Sequence, residues 1–324
     1  MADKMRFAIV GAGVIAPFHA KAVALHPDAE LVAVADIEKD KAERLSETHG
    51  IPLVYTDYEQ MLKRDDIDVI CAAVPSGLHH EVAIAAAQAG KHVLCEKPLD
   101  IASEPMTRMI DACRQSGVKL GCVFQRRVMP ASIAAKKAVT EGKLGKLVLG
   151  DAYLKYYRSP DYYRSAGWRG TWAMDGAGRR RCIGVRVFGS PASRHRGRGY
   201  GGGRAEIQKR GFRRHSGHDF RISGAGNPVR ASRREGHDHF RDSGFKQWSF
   251  AGSDEEMPEA EGMVNSGSDP ANIAGDGHYI LVDDMIKAVR ENRDPLITGE
   301  EARKAVDLIL AIYESSRTGK EVVL

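Results

Sequence analysis

The chain has 324 residues, 43% of them apolar and 28% charged. That length allows two domains with cores of their own, and the composition excludes an outright disordered chain. No apolar run approaches the roughly 18–20 residues that a membrane-spanning helix needs.

Five cysteines, Cys71, Cys95, Cys113, Cys122 and Cys182, are scattered without CxxC spacing. An odd, unpatterned set fits a reduced protein rather than a disulfide-stapled or zinc-bearing one. The start, MADKMRFAIV, leads straight into an apolar run with no signal-peptide layout, so the expected location is the cytoplasm. The net charge of +5 misleads when taken whole. Residues 179–241 hold 16 Arg and one Lys against four acids, while the other 261 residues carry a net charge of −8. Any argument from basicity to a nucleic-acid partner therefore concerns that block alone.

Residues 5–10 (MRFAIV) predict a strand ending at Gly11. Gly11-Ala12-Gly13-Val14-Ile15-Ala16 follows, then a helical pattern to about Leu25. Strand, glycine turn and helix in that order are the setting of a dinucleotide site. Gly11 allows the tight turn, Gly13 lets the backbone approach a pyrophosphate, and Ala16 still permits close helix–strand packing. The helix N-terminus, with Val14 and Ile15 leading into it, offers N–H groups to the phosphates. A second strand, 31–35, ends at Asp36, 25 residues after Gly11. An acid at that offset suits the ribose hydroxyls. It would repel a 2′-phosphate, and Ile37 adds no positive charge, so NAD is favoured over NADP. The alternative is a solvated Asp at a strand end.

The alternation continues. A helix is predicted over 38–49, a strand over 67–73, a helix over 78–89, a strand over 92–95, a helix over 105–115 and a strand over 118–124. This spacing argues for a parallel sheet covered on both faces. Val74-Pro75-Ser76 and Glu96-Lys97-Pro98 close two of the strands, where ligands of such sheets bind. Pro75 and Glu96 are therefore candidate cofactor contacts. Lys97, restrained by the following proline, is a candidate donor to the oxygen of a carbon undergoing hydride transfer. The competing reading is a surface Lys paired with Glu96. His79 and His80 open a helix after Pro75, where His79 either borders a cofactor or serves as a cap.

Residues 146–157 alternate as a strand of a second domain would. The loop that follows carries Trp168 and Arg169. With Tyr157 they form a candidate wall for a hydroxyl-rich or anionic ligand, the alternative being a surface loop whose aromatics only pack. From 179 to 241 there are 12 Gly, five His and no Leu, with no sustained period of 2 or 3.6. Three readings compete for this block: a nucleic-acid-binding tail, a loop insertion, or translation of a GC-rich gene in the wrong frame. The third is favoured. A one-base shift over 230–240, with synonymous codons chosen, permits Glu-Leu-His-Gly-Glu-Lys-Gly-Thr-Ile-Thr-Phe, a strand–turn–strand string. The nucleic-acid reading ranks last because aromatic platforms are few. Further on, helices are predicted from Tyr279 to about Glu291, with His278 at the start, and over 299–318.

Taken together, AIVGAGVIAPFHAKA (8–22), Asp36, VPSGLHHEVA (74–83), CEKPL (95–99), WRGTWAMDG and TGEEARKAVDLILAIYES resemble the glucose–fructose oxidoreductase, inositol dehydrogenase and MocA (Gfo/Idh/MocA) family. The resemblance covers 5–178 and 244–324. It implies an N-terminal Rossmann domain, expected over 1–124, and a C-terminal α/β domain with a largely antiparallel open sheet, expected over 125–324. It also implies hydride transfer between a nicotinamide cofactor and a hydroxyl carbon of a sugar, cyclitol or sugar derivative. Lys97 is then catalytic, and a homo-oligomer is expected if the second domain is intact. The family's active-site His is expected after the glycine run, where the arginine block stands instead, and no residue here is assigned to it.

Overall fold

Alternating apolar runs and charged amphipathic segments build the first half of the chain. The computed structural model describes residues 3–144, 147–153, 160–176, 185–188, 205–206, 219–224, 276–320 and 322. In chain order the first half contains β1 (Met5–Val10), α1 (Ala16–Leu25), β2 (Ala29–Ala35), α2 (Lys39–His49), β3 (Leu53–Tyr55), α3 (Tyr58–Leu62), β4 (Val69–Ala72), α4 (His79–Gln88), β5 (His92–Glu96), α5 (Ser103–Gln115), β6 (Leu120–Val123) and α6 (Pro130–Thr140). It continues with β7 (Leu147–Tyr153), α7 (Pro160–Arg164), β8 (Val185–Phe188), β9 (Ala205–Glu206) and β10 (Asp219–Gly224). The chain closes with α8 (Asp276–Arg290) and α9 (Gly299–Thr318).

β1 to β6 form one sheet in the order β3-β2-β1-β4-β5-β6, every pair parallel. A parallel sheet buried on both faces needs strands apolar throughout, and β4 and β6 (VICA, LGCV) are buried at every position. Phe7, Ile9, Ile70 and Leu94 lie in the core. The order reverses between β1 and β4, which places the crevice of a doubly wound sheet at the end of β1. A short piece of the C-terminal half joins this sheet: Thr298 bridges Gly121 in antiparallel fashion, and Cys122 N–H donates to Ile297 O at 2.9 Å.

The chain divides into two compact units. The first comprises Met1–Val128, Pro160–Arg179 and Gly275–Ile309. Within it α8 lies against α1. Val282, Met285 and Ile286 are buried, Arg290 pairs with Asp28 at 2.7 Å, and His26 meets Asp283 at 3.3 Å. The second unit comprises Met129–Ser159, Arg180–Ala274 and Leu310–Leu324.

The expected C-terminal α/β domain with a largely antiparallel open sheet is corrected here. C-terminal to Gly224 the described residues are helical, α8 and α9, and contain no strand. The amphipathic runs 276–290 and 299–318 have a helical period and offer nothing for a ladder. Among the described residues, strand pairing in the second unit comprises four short antiparallel pieces in the order β10-β7-β8-β9, the last only two residues long. Three of these pieces fall within 179–241, where the sequence has no sustained period of 2. The rest of that block, and with it the question of its folding, lies outside the described residues. No helix among the described residues is long and apolar enough to cross a membrane.

Candidate functional site

The glycine turn sits where β1 meets the ends of its two neighbours. Gly11 has φ +99°, and its N–H donates to Ala35 O at 2.8 Å. A Cβ there would lie 2.5 Å from Ala73 O, so only glycine lets β1 and β4 close together. Gly13 is exposed, with no atom within 4 Å of a Cβ position, which leaves open space above the turn. Val14 is exposed and Ile15 is the N-cap of α1, with no side chain capping the helix. An uncapped first turn facing open space suits a phosphate. Asp36 is held from both sides: Ala12 N–H donates to one carboxylate oxygen at 2.7 Å and Glu38 N–H to the other at 2.8 Å. Ile37 beside it is 89% exposed. The residues present therefore fit a dinucleotide: a donor-rich turn, a fixed carboxylate and an exposed apolar shelf.

The turns after β4 and β5 lie on the same carboxyl edge. Pro75 opens a short 3-10 turn over Ser76–Leu78. His79 is 1% exposed, and its ring lies between two carbonyls, Pro98 O at 2.7 Å from Nδ1 and Val74 O at 3.0 Å from Nε2. Burial pushes its pKa down, and a neutral ring can donate its one N–H to only one of these two carbonyls. A ring enclosed in this way serves the walls of the crevice. Asp100, fully buried, accepts from Ile101 N–H at 2.6 Å and from His80 N–H at 3.2 Å, and meets the His80 ring at 2.9 Å. Sequence reasoning misses Asp100; its only signal is its place two residues beyond Pro98.

Lys97 is exposed at the end of β5, while Glu96 beside it is 4% exposed. Glu96 does not pair with the Lys97 side chain as the competing reading holds. One oxygen meets His19 Nε2 at 3.0 Å and His278 Nε2 at 3.2 Å, and the other accepts the Lys97 backbone N–H at 3.2 Å. Burial opposes the carboxylate, but the two imidazoles hold the acid well below the usual carboxylate range. At His19 burial likewise opposes the charge, yet Cys71 and Glu96 raise its pKa above the ordinary histidine value. Burial lowers that of His278. The two imidazoles and the carboxylate thus form one buried hydrogen-bonded set. Their ligating atoms lie within 4.8 Å of one another, a grouping with metal-ligand chemistry. The Nε2–Oε1 separations are nevertheless hydrogen-bond lengths, and all three side chains are buried.

The segment 160–176 belongs to the same unit and docks on the turn after β4. Gly77 N–H donates to Met174 O at 3.0 Å, and a Cβ on Gly77 would lie 2.6 Å from Ala173 O. Arg169 lies over Tyr162 at 4.3 Å and over Trp168 at 5.5 Å. Asp175 accepts Gly170 N–H at 2.6 Å. Trp168 and Arg169 are half-buried. Tyr157 lies outside the described residues.

Residues 5–124 match the profile of a family described as "Oxidoreductase family, NAD-binding Rossmann fold" (GFO_IDH_MocA). The chain is similar to a myo-inositol 2-dehydrogenase of Thermotoga maritima, 32% identical over 44% of this chain and 42% of that protein. It is also similar to a D-glucoside 3-dehydrogenase of Escherichia coli, 35% identical over 46% of this chain and 42% of that one. The matched region is less than half the length of these relatives. Among solved structures, the WlbA dehydrogenase of Bordetella pertussis, in complex with NADH and UDP-GlcNAcA, superposes with TM-score 0.75 at 26% identity over 100% of this chain and 98% of that one.

Proposed function

We propose that this chain, whose residues 5–124 match the model of the Gfo/Idh/MocA oxidoreductase family, is an NAD-dependent dehydrogenase acting on a hydroxyl carbon of a sugar, cyclitol or sugar derivative. One observation carries the reading: the Gly11 turn, the doubly held Asp36 and the exposed Lys97 share the carboxyl edge of one parallel sheet. The nicotinamide supplies the hydride acceptor or donor. The chain's residues bind and orient. Gly11, Gly13, Val14 and Ile15 receive the pyrophosphate at the start of α1, and Asp36 accepts the ribose hydroxyls. Pro75 and the buried His79 form the wall on the β4 side, and Glu96 fixes the β5 side. Lys97 donates to, or takes a proton from, the substrate oxygen. Trp168 and Arg169 line the substrate side, with Tyr157 assigned there from sequence; the Arg169 guanidinium suits a carboxylate or phosphate on the substrate.

The relatives' names, a cyclitol dehydrogenase and a glucoside dehydrogenase, support a polyhydroxy substrate. NADH bound to WlbA supports the cofactor. A second reading, an NAD-binding protein without turnover, is favoured by the arginine block that replaces the family's continuation after Gly178. Titration with NAD(H), followed by a turnover assay on a cyclitol and aldose panel, separates the two. Binding with turnover supports the dehydrogenase, and binding alone supports the second reading. Failure to bind any dinucleotide refutes both.

A further inference from the structure

We propose that His278, with His19, is a positioning residue that clamps the Glu96 carboxylate and through it sets the backbone from which Lys97 projects. The inference rests on the role of Lys97 given above. Three elements distant in sequence meet at one carboxylate: His19 from α1, Glu96 from the end of β5, and His278 from the first turn of α8. His19 and His278 share Oε1, at 3.0 and 3.2 Å, which leaves Oε2 to accept the Lys97 N–H at 3.2 Å. A carboxylate gripped on one oxygen can rotate neither toward solvent nor toward the Lys97 ammonium.

The rings also support each other. They meet edge-on at 5.1 Å between centroids, and Phe18 stacks on His278 at 5.7 Å. His278 is 1% exposed and His19 fully buried, so neither reaches a substrate in the crevice. His278, its Nε2 3.2 Å from the carboxylate oxygen, completes the clamp from α8, where His19 grips it from α1. α8 returns to the first unit after a long excursion of the chain, and its first turn delivers the second imidazole. Completion of the Lys97 turn therefore depends on the C-terminal part of the chain.

The test compares full-length wild type with His278→Phe, which keeps ring volume but lacks the donor, and His278→Gln, whose amide nitrogen can reach the same place. Site-resolved hydrogen exchange reads the Lys97 amide, and steady-state kinetics read turnover. His278→Phe should speed exchange at Lys97 while the amides of Val93 and Leu94 keep wild-type protection. It should lower kcat by about 10- to 100-fold without raising KM, as expected when a reacting group is displaced and substrate binding stays intact. His278→Gln should restore both.

Unchanged Lys97 exchange in His278→Phe overturns the proposal whether or not the protein turns over. So does loss of protection spread over the whole β5 strand, which would mean a packing role only. Stoichiometric zinc in the purified wild type would make the cluster a metal site and also overturn the clamp. If Lys97 exchange responds as expected but wild type oxidises no polyol, the dehydrogenase reading falls and the clamp stands.

Discussion

Two glycines of the same turn should fail in different ways when each becomes alanine. In Gly11→Ala the new methyl would lie 2.5 Å from Ala73 O, 2.7 Å from Ala73 C and 2.9 Å from Val74 N, all backbone atoms just past the end of β4. No side chain can swing aside. The φ of +99° adds a steric cost of about 1–2 kcal/mol for an L-residue. Forcing extra volume into close-packed backbone adds about 1–3 kcal/mol. The sum, about 2–5 kcal/mol, is a large share of the roughly 5–15 kcal/mol that holds a domain together. At about 3 °C per kcal/mol, the Rossmann unit should melt roughly 6–15 °C lower. Gly13→Ala meets nothing within 4 Å and its φ is not positive, so its melting temperature should stay at or slightly above wild type. Its methyl instead occupies the space through which the pyrophosphate approaches, and NAD affinity should fall about tenfold or more. Differential scanning fluorimetry and NAD titration on both variants read the two effects. An unchanged melting temperature for Gly11→Ala would refute the contact between β1 and β4 as the reason for glycine. Unchanged NAD affinity in Gly13→Ala would refute the placement of the phosphates.

Asp36→Ser should weaken NAD and relieve repulsion of a 2′-phosphate, narrowing the gap between the NAD and NADP dissociation constants; an unchanged ratio means that Asp36 is not at the ribose. Lys97→Ala should leave NAD affinity near wild type and lower turnover by about 10² or more, as removal of a positioned proton donor or acceptor does; abolished binding with turnover preserved at saturation contradicts that role. His79 has a folded pKa below its ordinary value of about 6.5, so the unfolded chain takes up the proton first and stability is lost as pH falls below that point. His79→Gln should flatten that loss by up to about 1.4 kcal/mol per pH unit in denaturant titrations between pH 7 and 5, and an identical slope in the variant shows that another group is responsible. Sequencing the gene across codons 175–245 should reveal two compensating insertions or deletions flanking the arginine block, whereas an intact frame removes that account of it.

Local signals make much of the first unit legible. A strand running into Gly11-Ala12-Gly13, then a second strand ending at Asp36, predicts a Rossmann turn, and β1, α1 and β2 follow it. Those signals depend on neighbours within about 30 residues, the span of one βαβ unit. The short β3 and α3 carry three and five residues, too few for a period to register, and the sequence pattern does not reveal them. The expected antiparallel C-terminal sheet comes from family resemblance rather than from sustained alternation in the chain, whereas the helical period of 276–290 and 299–318 is legible and becomes α8 and α9. His79 reads as a cofactor contact or a cap because it opens a helix after Pro75. Its enclosure between Val74 O and Pro98 O depends on how two separate turns close on each other, which no spacing along the chain records.

The His19–Glu96–His278 clamp shows why a site can be half legible. Lys97 announces itself: a cation between a Glu and a Pro at a strand end is unusual, and its neighbours in sequence are its neighbours in space. Its support does not. His19 looks like one more polar residue within an alanine-rich helix, and His278 like a cap at the start of another, 182 residues from Glu96. Only the return of α8 onto α1 brings them to one carboxylate, and that return is driven by burial of Val282, Met285 and Ile286, residues that say nothing of chemistry. Apolar contacts thus fix where the imidazoles stand, and the imidazoles fix the carboxylate. If the arginine block is out of frame, the chain still carries the residues that build this end of the crevice, because both flanks of the clamp lie outside 179–241. A polypeptide with a corrupted middle would then keep its dinucleotide turn and its Lys97 in place, and forfeit only what the block was to supply.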